Sequence, residues 1–218
     1  MAISKKFQES INKLIPADSE SHFSESLPND AFLLEGEINQ TDGMIDKRKN
    51  DFIHGRYCAR KALMKLGKDA EAIYVGKNRE PIWPEGVTGS ISHSEEIALA
   101  VVAHKYNIDS IGIDIESSVP LEADLAKMIL RSDEKEWSDP TESKILFSIK
   151  ESIYKCIFPQ LGFFVDFQEM KVLKSELAGS FLAAPQTKEI NAGLSGQICG
   201  RYLILDRFVI SSAWIKIT

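Results

Sequence analysis

Two acidic residues stand two positions apart in the segment Ile111–Glu116, which reads IGIDIE. Alternation along a strand sends the isoleucines to one face and Asp114 with Glu116 to the other. Two converging carboxylates, brought near a third acid, offer the hard oxygen ligands that Mg²⁺ shares with substrate phosphates. The same pattern also fits the solvent-facing side of a half-buried strand, so the pair alone leaves both interpretations open.

A third acid lies between two lysines in the segment Lys150–Lys155, which reads KESIYK. Glu151 and Lys155 are one helical turn apart and share a face, a spacing that a simple surface ion pair would also explain. Lys150 adds a second cation beside the acid. A carboxylate framed by two lysines can bind a metal and direct ammonium groups toward the phosphates bound to that metal.

The segment Gly89–Ser94, which reads GSISHS, predicts a turn of small residues just before an apolar strand. Small residues let a ligand approach the backbone, and Ser92 and His93 can donate hydrogen bonds to phosphate oxygens. An ordinary polar turn is the alternative. The G-x-S-x-G pattern of serine hydrolases is absent, because Ser94 stands two residues beyond Ser92, and this disfavours hydrolase chemistry of that kind.

Two arginines lie at the border of an apolar helix face. At about 100° per residue, Arg48 and Arg56 project beside the stripe that contains Phe52 and Leu63. Arginines at such a border need partners, and either an internal acid or a bound phosphate would match the planar guanidinium group.

Charge is unevenly spread along the chain. Its net charge is −6, yet residues 47–79 carry ten Lys or Arg against three Asp or Glu. The acidic total disfavours general nucleic-acid binding. A local basic field suits a small polyphosphate ligand or an acidic partner protein, with a solvated helix face as the alternative.

Helices and strands must position these groups. Apolar spacing predicts a helix over residues 46–66, followed by Gly67. A second helix is predicted over residues 141–158, with Asp139 as N-cap and Pro140 at the first helical position, and a shorter helix over residues 121–137. Strands rich in apolar and β-branched residues are predicted at Ile97–Ala103, Ile111–Ile115, Tyr202–Leu205 and Val209–Ile217.

A helix followed later by strands occurs in each half of the chain, which favours an α+β fold with two closely packed lobes, residues 1–108 and 109–218. The chain has 218 residues, of which 44% are hydrophobic and 27% charged, a composition typical of globular proteins. No segment is apolar enough to span a membrane or to form a signal peptide, so we expect a cytoplasmic protein. The three cysteines share no metal-ligand spacing and are expected to be reduced.

Six segments in sequence order resemble the 4'-phosphopantetheinyl transferases, most closely the siderophore-synthetase branch typified by component D of enterobactin synthetase. They are the Arg-x-x-acid-Phe motif at Arg48–Phe52, Gly55–Leu63, Pro81–Pro84, Gly89–His93, Gly112–Glu116 and Phe147–Lys155. The surfactin-synthetase branch tends to carry tryptophan where Phe147 stands here, which favours the siderophore branch. Residues 1–45 and 160–218 contribute nothing to the resemblance.

The resemblance implies a monomer of two similar lobes, a pseudo-dimer, with coenzyme A bound in the cleft between them. It implies that Asp114, Glu116 and Glu151 hold Mg²⁺, with Mn²⁺ as an alternative ion, and that Glu151 and Lys155 serve catalysis. The residues implied for coenzyme A and its phosphates are Arg48, Arg56, Ser92, His93, Lys150 and Lys155, with Lys77 and Arg79 as helpers and Asp114 acting through the metal.

The implied reaction is attack by a serine of an apo carrier protein on the β-phosphate of coenzyme A, releasing adenosine 3',5'-bisphosphate. Glu151 is also a candidate base for the serine proton, and Lys155 is expected to keep it ionised. The favoured pathway is siderophore or other nonribosomal peptide or polyketide synthesis. Two alternatives remain: a non-catalytic regulator that binds coenzyme A or a carrier protein, and a metal-dependent nucleotide hydrolase.

Overall fold

The computed structural model describes residues 2–217 as an α+β fold. The helices are α1 (Ala2–Leu14), α2 (Glu35–Ile38), α3 (Asp46–Lys65), α4 (Ala123–Ile129), α5 (Pro140–Leu161) and α6 (Lys188–Gly193). The strands are β1 (Ser19–Ser24), β2 (Tyr74–Val75), β3 (Pro81–Ile82), β4 (Val87–Ser94), β5 (Ile97–His104), β6 (Ile108–Ser117), β7 (Met170–Lys174), β8 (Ser180–Pro185), β9 (Ile198–Leu205) and β10 (Phe208–Lys216).

Two antiparallel sheets organise the two halves of the chain. The first has the strand order β1-β5-β4, and the second has the order β6-β10-β9-β8-β7. Strands β2 and β3 form a separate small hairpin. The sheets follow one another in sequence, as expected for two lobes, whereas the exact division at residue 108 stays a prediction.

Helix α3 covers the first sheet with a face of small apolar residues. Cys58, Ala62 and Leu63 are fully buried against Ala98 and Val102 of β5. Small side chains allow the helix to lie close to the sheet. The chain leaves the helix through Gly67 at φ 80°, which confirms the predicted helix and its end.

Helix α5 packs on the second sheet with almost no space between them. Its N-terminus is capped as predicted, because the side chain of Asp139 accepts a hydrogen bond from the backbone N–H of Thr141 at 2.9 Å. At Gly112 of β6, an added Cβ would collide with the backbone carbonyl of Ser152 and lie 2.6 Å from the backbone nitrogen of Cys156. Gly112 therefore lets the helix backbone rest directly on the strand.

A common core joins the two sheets. Apolar side chains of β5, β6 and β10 form one buried cluster, and α1 adds Phe7 and Ile11 to it. The ring of Phe7 stacks on Phe23 of β1 at 4.5 Å and meets Phe208 of β10 edge-on at 6.3 Å. The first helix thus contacts strands from both halves of the chain, a role that was not predicted.

Two predictions about local structure are corrected by the fold. The segment Gly89–Ser94 is part of strand β4, and its backbone pairs with β5 instead of turning. The helix predicted over residues 121–137 is divided into α4 and a short 3₁₀ helix at Lys135–Trp137. The four predicted strands are confirmed as β5, β6, β9 and β10. Among residues 2–217, no helix is both long and apolar enough to cross a membrane.

Candidate active site

Three polar side chains from three elements meet where the two sheets adjoin. Lys155 of α5 donates to Oδ1 of Asp114 on β6 at 2.7 Å and to Oγ of Ser92 on β4 at 2.9 Å. The Ser92 hydroxyl also lies 3.0 Å from the same oxygen of Asp114. We call this group the Ser92–Asp114–Lys155 junction. It unites residues from both halves of the chain that the sequence predicted to share a site.

Asp114 is only 2% exposed, and its two oxygens have different environments. Oδ1 accepts both hydrogen bonds of the junction, whereas Oδ2 is buried without a hydrogen-bond partner among the described residues. A buried carboxylate oxygen without a donor is unfavourable unless a cation or a donor approaches it. Oδ2 of Asp114 is therefore the part of the site best suited to receive a ligand.

Glu116 lies two residues along the same strand and has its own ammonium partner. Lys144 of α5 donates to Oε2 of Glu116 at 2.8 Å, and its Nζ lies 5.0 Å from the centre of the Phe147 ring. The sequence reasoning missed Lys144. The signal was its position two helical turns before Glu151, which puts both residues on nearly the same face of the helix.

Glu151 lies on α5 between Lys144 and Lys155 and is half-buried. Burial raises the pKa of the Glu151 carboxyl, and the nearby charges of Asp114 and Glu116 raise it further. Lys155 lowers this pKa, as expected, but the lysine does not outweigh burial and the two acids. Asp114 and Glu116 are thus close enough to Glu151 to influence its ionisation.

The donor set fits a hard divalent cation without forming a preassembled cluster. No group of three or more His, Cys, Asp or Glu side chains within the described residues already has a metal-binding arrangement. Mg²⁺ commonly uses one or two carboxylates and completes its coordination with water and phosphate oxygens. The free Oδ2 of Asp114, with Glu116 and Glu151 nearby, meets that requirement.

Lys150 is not brought to this group. Its ammonium is buried and donates to Oε2 of Glu134 at 2.8 Å, to the Ile129 carbonyl at 2.9 Å and to the Phe167 carbonyl at 2.9 Å. These three bonds use all three donors, so none remains for a ligand. The position of Lys150 therefore contradicts the expectation that it contacts a ligand phosphate. Its hydrogen bonds instead hold the segments around Glu134 and Phe167 against α5.

A large basic cavity opens beside α3. Its volume is about 850 Å³, and the basic side chains that line it are Lys47, Arg48, Arg56, Arg79 and His93. Arg48 and His93 are exposed, and Lys77 is exposed outside the set of lining residues. Four of the predicted phosphate contacts thus share one cavity, and Lys77 does not join them.

Arg56 is the buried cation of the basic cavity. Its Nε donates to the Ile73 carbonyl at 2.8 Å, and its guanidinium carbon lies 4.3 Å from the centre of the Phe52 ring. Burial lowers the pKa of Arg56 to about 10, so the group remains charged at neutral pH. The bond from Nε and the ring hold the guanidinium in place and leave its terminal nitrogens available to an anion.

Glu37 supports the same cavity and was not anticipated from the sequence. It is fully buried, pairs with Arg60 at 2.7 Å and accepts a hydrogen bond from the backbone N–H of Ile73 at 3.0 Å. Because Arg56 bonds the carbonyl of that same residue, Glu37 and Arg56 hold Ile73 from both sides. A single glutamate in an unremarked segment carried no signal of this role.

Two family models match the chain one after the other. The N-terminal domain of the 4'-phosphopantetheinyl transferases matches residues 37–103. The 4'-phosphopantetheinyl transferase superfamily matches residues 110–204, which contain Asp114, Glu116 and the whole of α5. The chain belongs to this superfamily.

Relatives of the transferase agree with the two matches. This chain is 32% identical over 217 residues to 4'-phosphopantetheinyl transferase Npt of Nocardia iowensis. The match covers 93% of this chain and 98% of the relative. It is 35% identical over 147 residues to 4'-phosphopantetheinyl transferase Svp of Streptomyces mobaraensis, covering 64% and 60% of the two chains. Enterobactin synthase component D of Salmonella typhi is 38% identical over 117 residues, covering 50% and 48%.

Proposed function

We propose that this transferase moves the 4'-phosphopantetheine group of coenzyme A to a serine of an apo acyl, peptidyl or aryl carrier protein and releases adenosine 3',5'-bisphosphate. The observation that carries the proposal is the Ser92–Asp114–Lys155 junction next to a basic cavity. Coenzyme A carries a pyrophosphate and a further phosphate on its nucleotide. The junction would serve the pyrophosphate, and the basic cavity would serve the nucleotide with its phosphate.

The basic cavity would hold the nucleotide end of coenzyme A. Arg56 offers a fixed guanidinium group, and Arg48, Arg79 and His93 offer exposed donors around it. Charge-assisted hydrogen bonds to phosphate are stronger than neutral ones. Lys77, exposed on the nearby β2–β3 connection, is at most a helper to these groups.

Asp114, Glu116 and Glu151 would hold Mg²⁺, or Mn²⁺ in its place, which would supply charge neutralisation for the pyrophosphate. Lys155 would contact the same pyrophosphate, because it already reaches Asp114 and Ser92. Fixed cations at the place where negative charge develops lower the barrier without reorganisation during the reaction.

Glu151 would accept the proton of the carrier serine. A carboxylate placed beside the serine hydroxyl can take up its proton during attack. The proton would move to a carboxylate oxygen of Glu151 as the serine oxygen forms its bond to the β-phosphorus. Breaking the bond between that phosphorus and the bridging oxygen releases adenosine 3',5'-bisphosphate.

We also propose that the transferase acts as a cytoplasmic monomer and serves siderophore or other nonribosomal peptide or polyketide synthesis. Support for the pathway comes from the similarity to enterobactin synthase component D and from Phe147 at the position that distinguishes the two branches.

The deciding experiment is intact-mass analysis of a panel of apo carrier proteins after incubation with coenzyme A, Mg²⁺ and the transferase. We expect a gain of one phosphopantetheine group on the serine of at least one carrier. Binding of coenzyme A without any mass gain would instead indicate a regulator. Release of phosphopantetheine without a carrier would indicate a nucleotide hydrolase.

A further inference from the structure

Helix α5 pairs the two acidic side chains of β6 that would hold a cation, Asp114 and Glu116, with lysines. Lys155 lies 2.7 Å from Asp114, and Lys144 lies 2.8 Å from Glu116. Glu151 stands on the same helix between the two lysines. Each of the two strand carboxylates that would hold a cation is therefore already neutralised by an internal ammonium group.

Lys144 is more buried than the acid that it contacts. Its side chain is 8% exposed, against 28% for Glu116. Among the contacts of the described residues, the Lys144 ammonium has one hydrogen bond, which goes to Glu116, and one aromatic contact, with Phe147. A buried ammonium with a single acceptor depends strongly on that acceptor, because removing it leaves an uncompensated charge.

We propose that Lys144 is a positioning residue of the reaction site that neutralises Glu116 and competes with the divalent cation for it. The inference rests on the proposed metal site of Asp114, Glu116 and Glu151. A positive charge 2.8 Å from Glu116 orients the carboxylate and balances it when no cation is bound. The same charge repels an arriving cation and weakens its binding.

A surface ion pair without any role at the site is the competing explanation, and the chain offers a matched control for it. Lys174 contacts Glu142 of α5 at 2.7 Å, and its ammonium lies 4.3 Å from the centre of the Trp137 ring. Like the Lys144–Glu116 pair, it joins a lysine to a glutamate, has one partner on α5, and places the ammonium group near an aromatic ring. It differs in that Lys174 is more exposed, 35% against 8% for Lys144, and in that Glu142 is not one of the proposed metal ligands.

The test is a direct Mn²⁺ titration of metal-free full-length protein, with free Mn²⁺ counted by electron paramagnetic resonance. We expect Lys144→Met to bind Mn²⁺ about threefold more tightly or better, while Lys174→Met matches the wild type. Lys144→Gln, which keeps a polar group, should show the same direction and covers the case in which the methionine variant folds poorly.

The outcomes separate this inference from the proposed function. If the wild type binds no Mn²⁺ either alone or with coenzyme A, the proposed metal site is wrong and the role of Lys144 falls with it. If the wild type binds Mn²⁺ through Asp114 but both Lys144 variants bind it with wild-type or weaker affinity, only the inference about Lys144 is overturned. An equal gain in Lys174→Met would also overturn it, because the effect would then reflect net charge.

Discussion

Lys155 and Asp114 connect the two elements that carry the reaction site, with the lysine ammonium 2.7 Å from one carboxylate oxygen. The other oxygen of Asp114 is buried without a partner among the described residues. One half of this carboxylate is therefore held by the protein, and the other half is available to a cation.

The first prediction concerns the charge of Asp114. Asp114→Asn should lower transfer about 100-fold or more, because the amide cannot neutralise a cation or Lys155 as a carboxylate does. Excess Mg²⁺ or Mn²⁺ should restore part of the rate by mass action. Steady-state transfer over a range of Mg²⁺ concentrations measures both effects. Asp109→Asn, on the same strand, is the control, and full activity of Asp114→Asn at low Mg²⁺ would remove Asp114 from the site.

Arg56 should contribute to binding more than to chemistry. Arg56→Ala should weaken coenzyme A binding by about 1.5–3 kcal/mol, since it removes a charge-assisted contact held in place by Ile73 and Phe52. Calorimetric titration with coenzyme A and with the form that lacks the 3'-phosphate tests this, and shows which phosphate Arg56 contacts. Unchanged affinity for coenzyme A would leave Arg56 with a structural role alone.

Glu151 has two proposed tasks that one substitution can separate. Glu151→Gln should still bind coenzyme A in the basic cavity, yet lose roughly 10²- to 10⁴-fold in transfer rate even at saturating Mg²⁺, because an amide cannot accept the serine proton. Single-turnover transfer to a saturating apo carrier across a Mg²⁺ series is the measurement. Recovery at high Mg²⁺ would mean that Glu151 only ligates the metal, and wild-type rates at every Mg²⁺ concentration would exclude both tasks.

Gly112 sets the distance between α5 and β6. Gly112→Ala should destabilise the protein by about 1–3 kcal/mol, because its methyl group would collide with helix backbone that cannot move alone. The displaced helix should also carry Glu151 and Lys155 away from Asp114, so transfer should fall. Thermal unfolding and activity measure the two effects. Gly196→Ala, where φ is not positive and an added Cβ would lie 3.3 Å from its nearest neighbour, a side-chain methyl of Ile215, controls for the general effect of replacing a glycine.

His22 should make folding sensitive to acid. Burial, followed by the charges of Lys65 and Lys61 and then by His54, lowers the pKa of His22 from 6.5 to about 4. The unfolded chain therefore takes up a proton below pH 6.5 that the folded chain does not, and stability falls as the pH falls toward about 4. His22→Gln should lose less stability over this interval. Thermal unfolding from pH 7.5 to 4.5 compares the two, and parallel curves would contradict the prediction.

Much of the site follows from helical and strand periodicity. The alternation of β6 predicts Asp114 and Glu116 on one face. The one-turn spacing predicts Lys155 beside Glu151, whereas its ammonium pairs with Asp114. Lys150 was misjudged because adjacent helix residues point about 100° apart, so closeness in sequence to Glu151 carried no information about closeness in space.

Other features depend on contacts that no local pattern records. Small and polar residues such as Gly89 and Ser92 predict a turn at β4. Pairing with the apolar strand β5 overrides that preference. The role of Glu37 depends on Arg60 and Ile73, which lie 23 and 36 residues further along the chain. Neither contact follows from spacing within a single element.

The cluster built by α1, β5, β6 and β10 has a consequence for how the chain unfolds. Because this cluster lies between the sheets, separating the halves would expose isoleucines such as Ile113 and Ile210 together with Phe7. The exposure of so much apolar surface is unfavourable. Unfolding one half while the other stays folded would therefore cost free energy. The two sheets therefore form one cooperative unit, and a cut between them would yield fragments prone to aggregation instead of two working pieces.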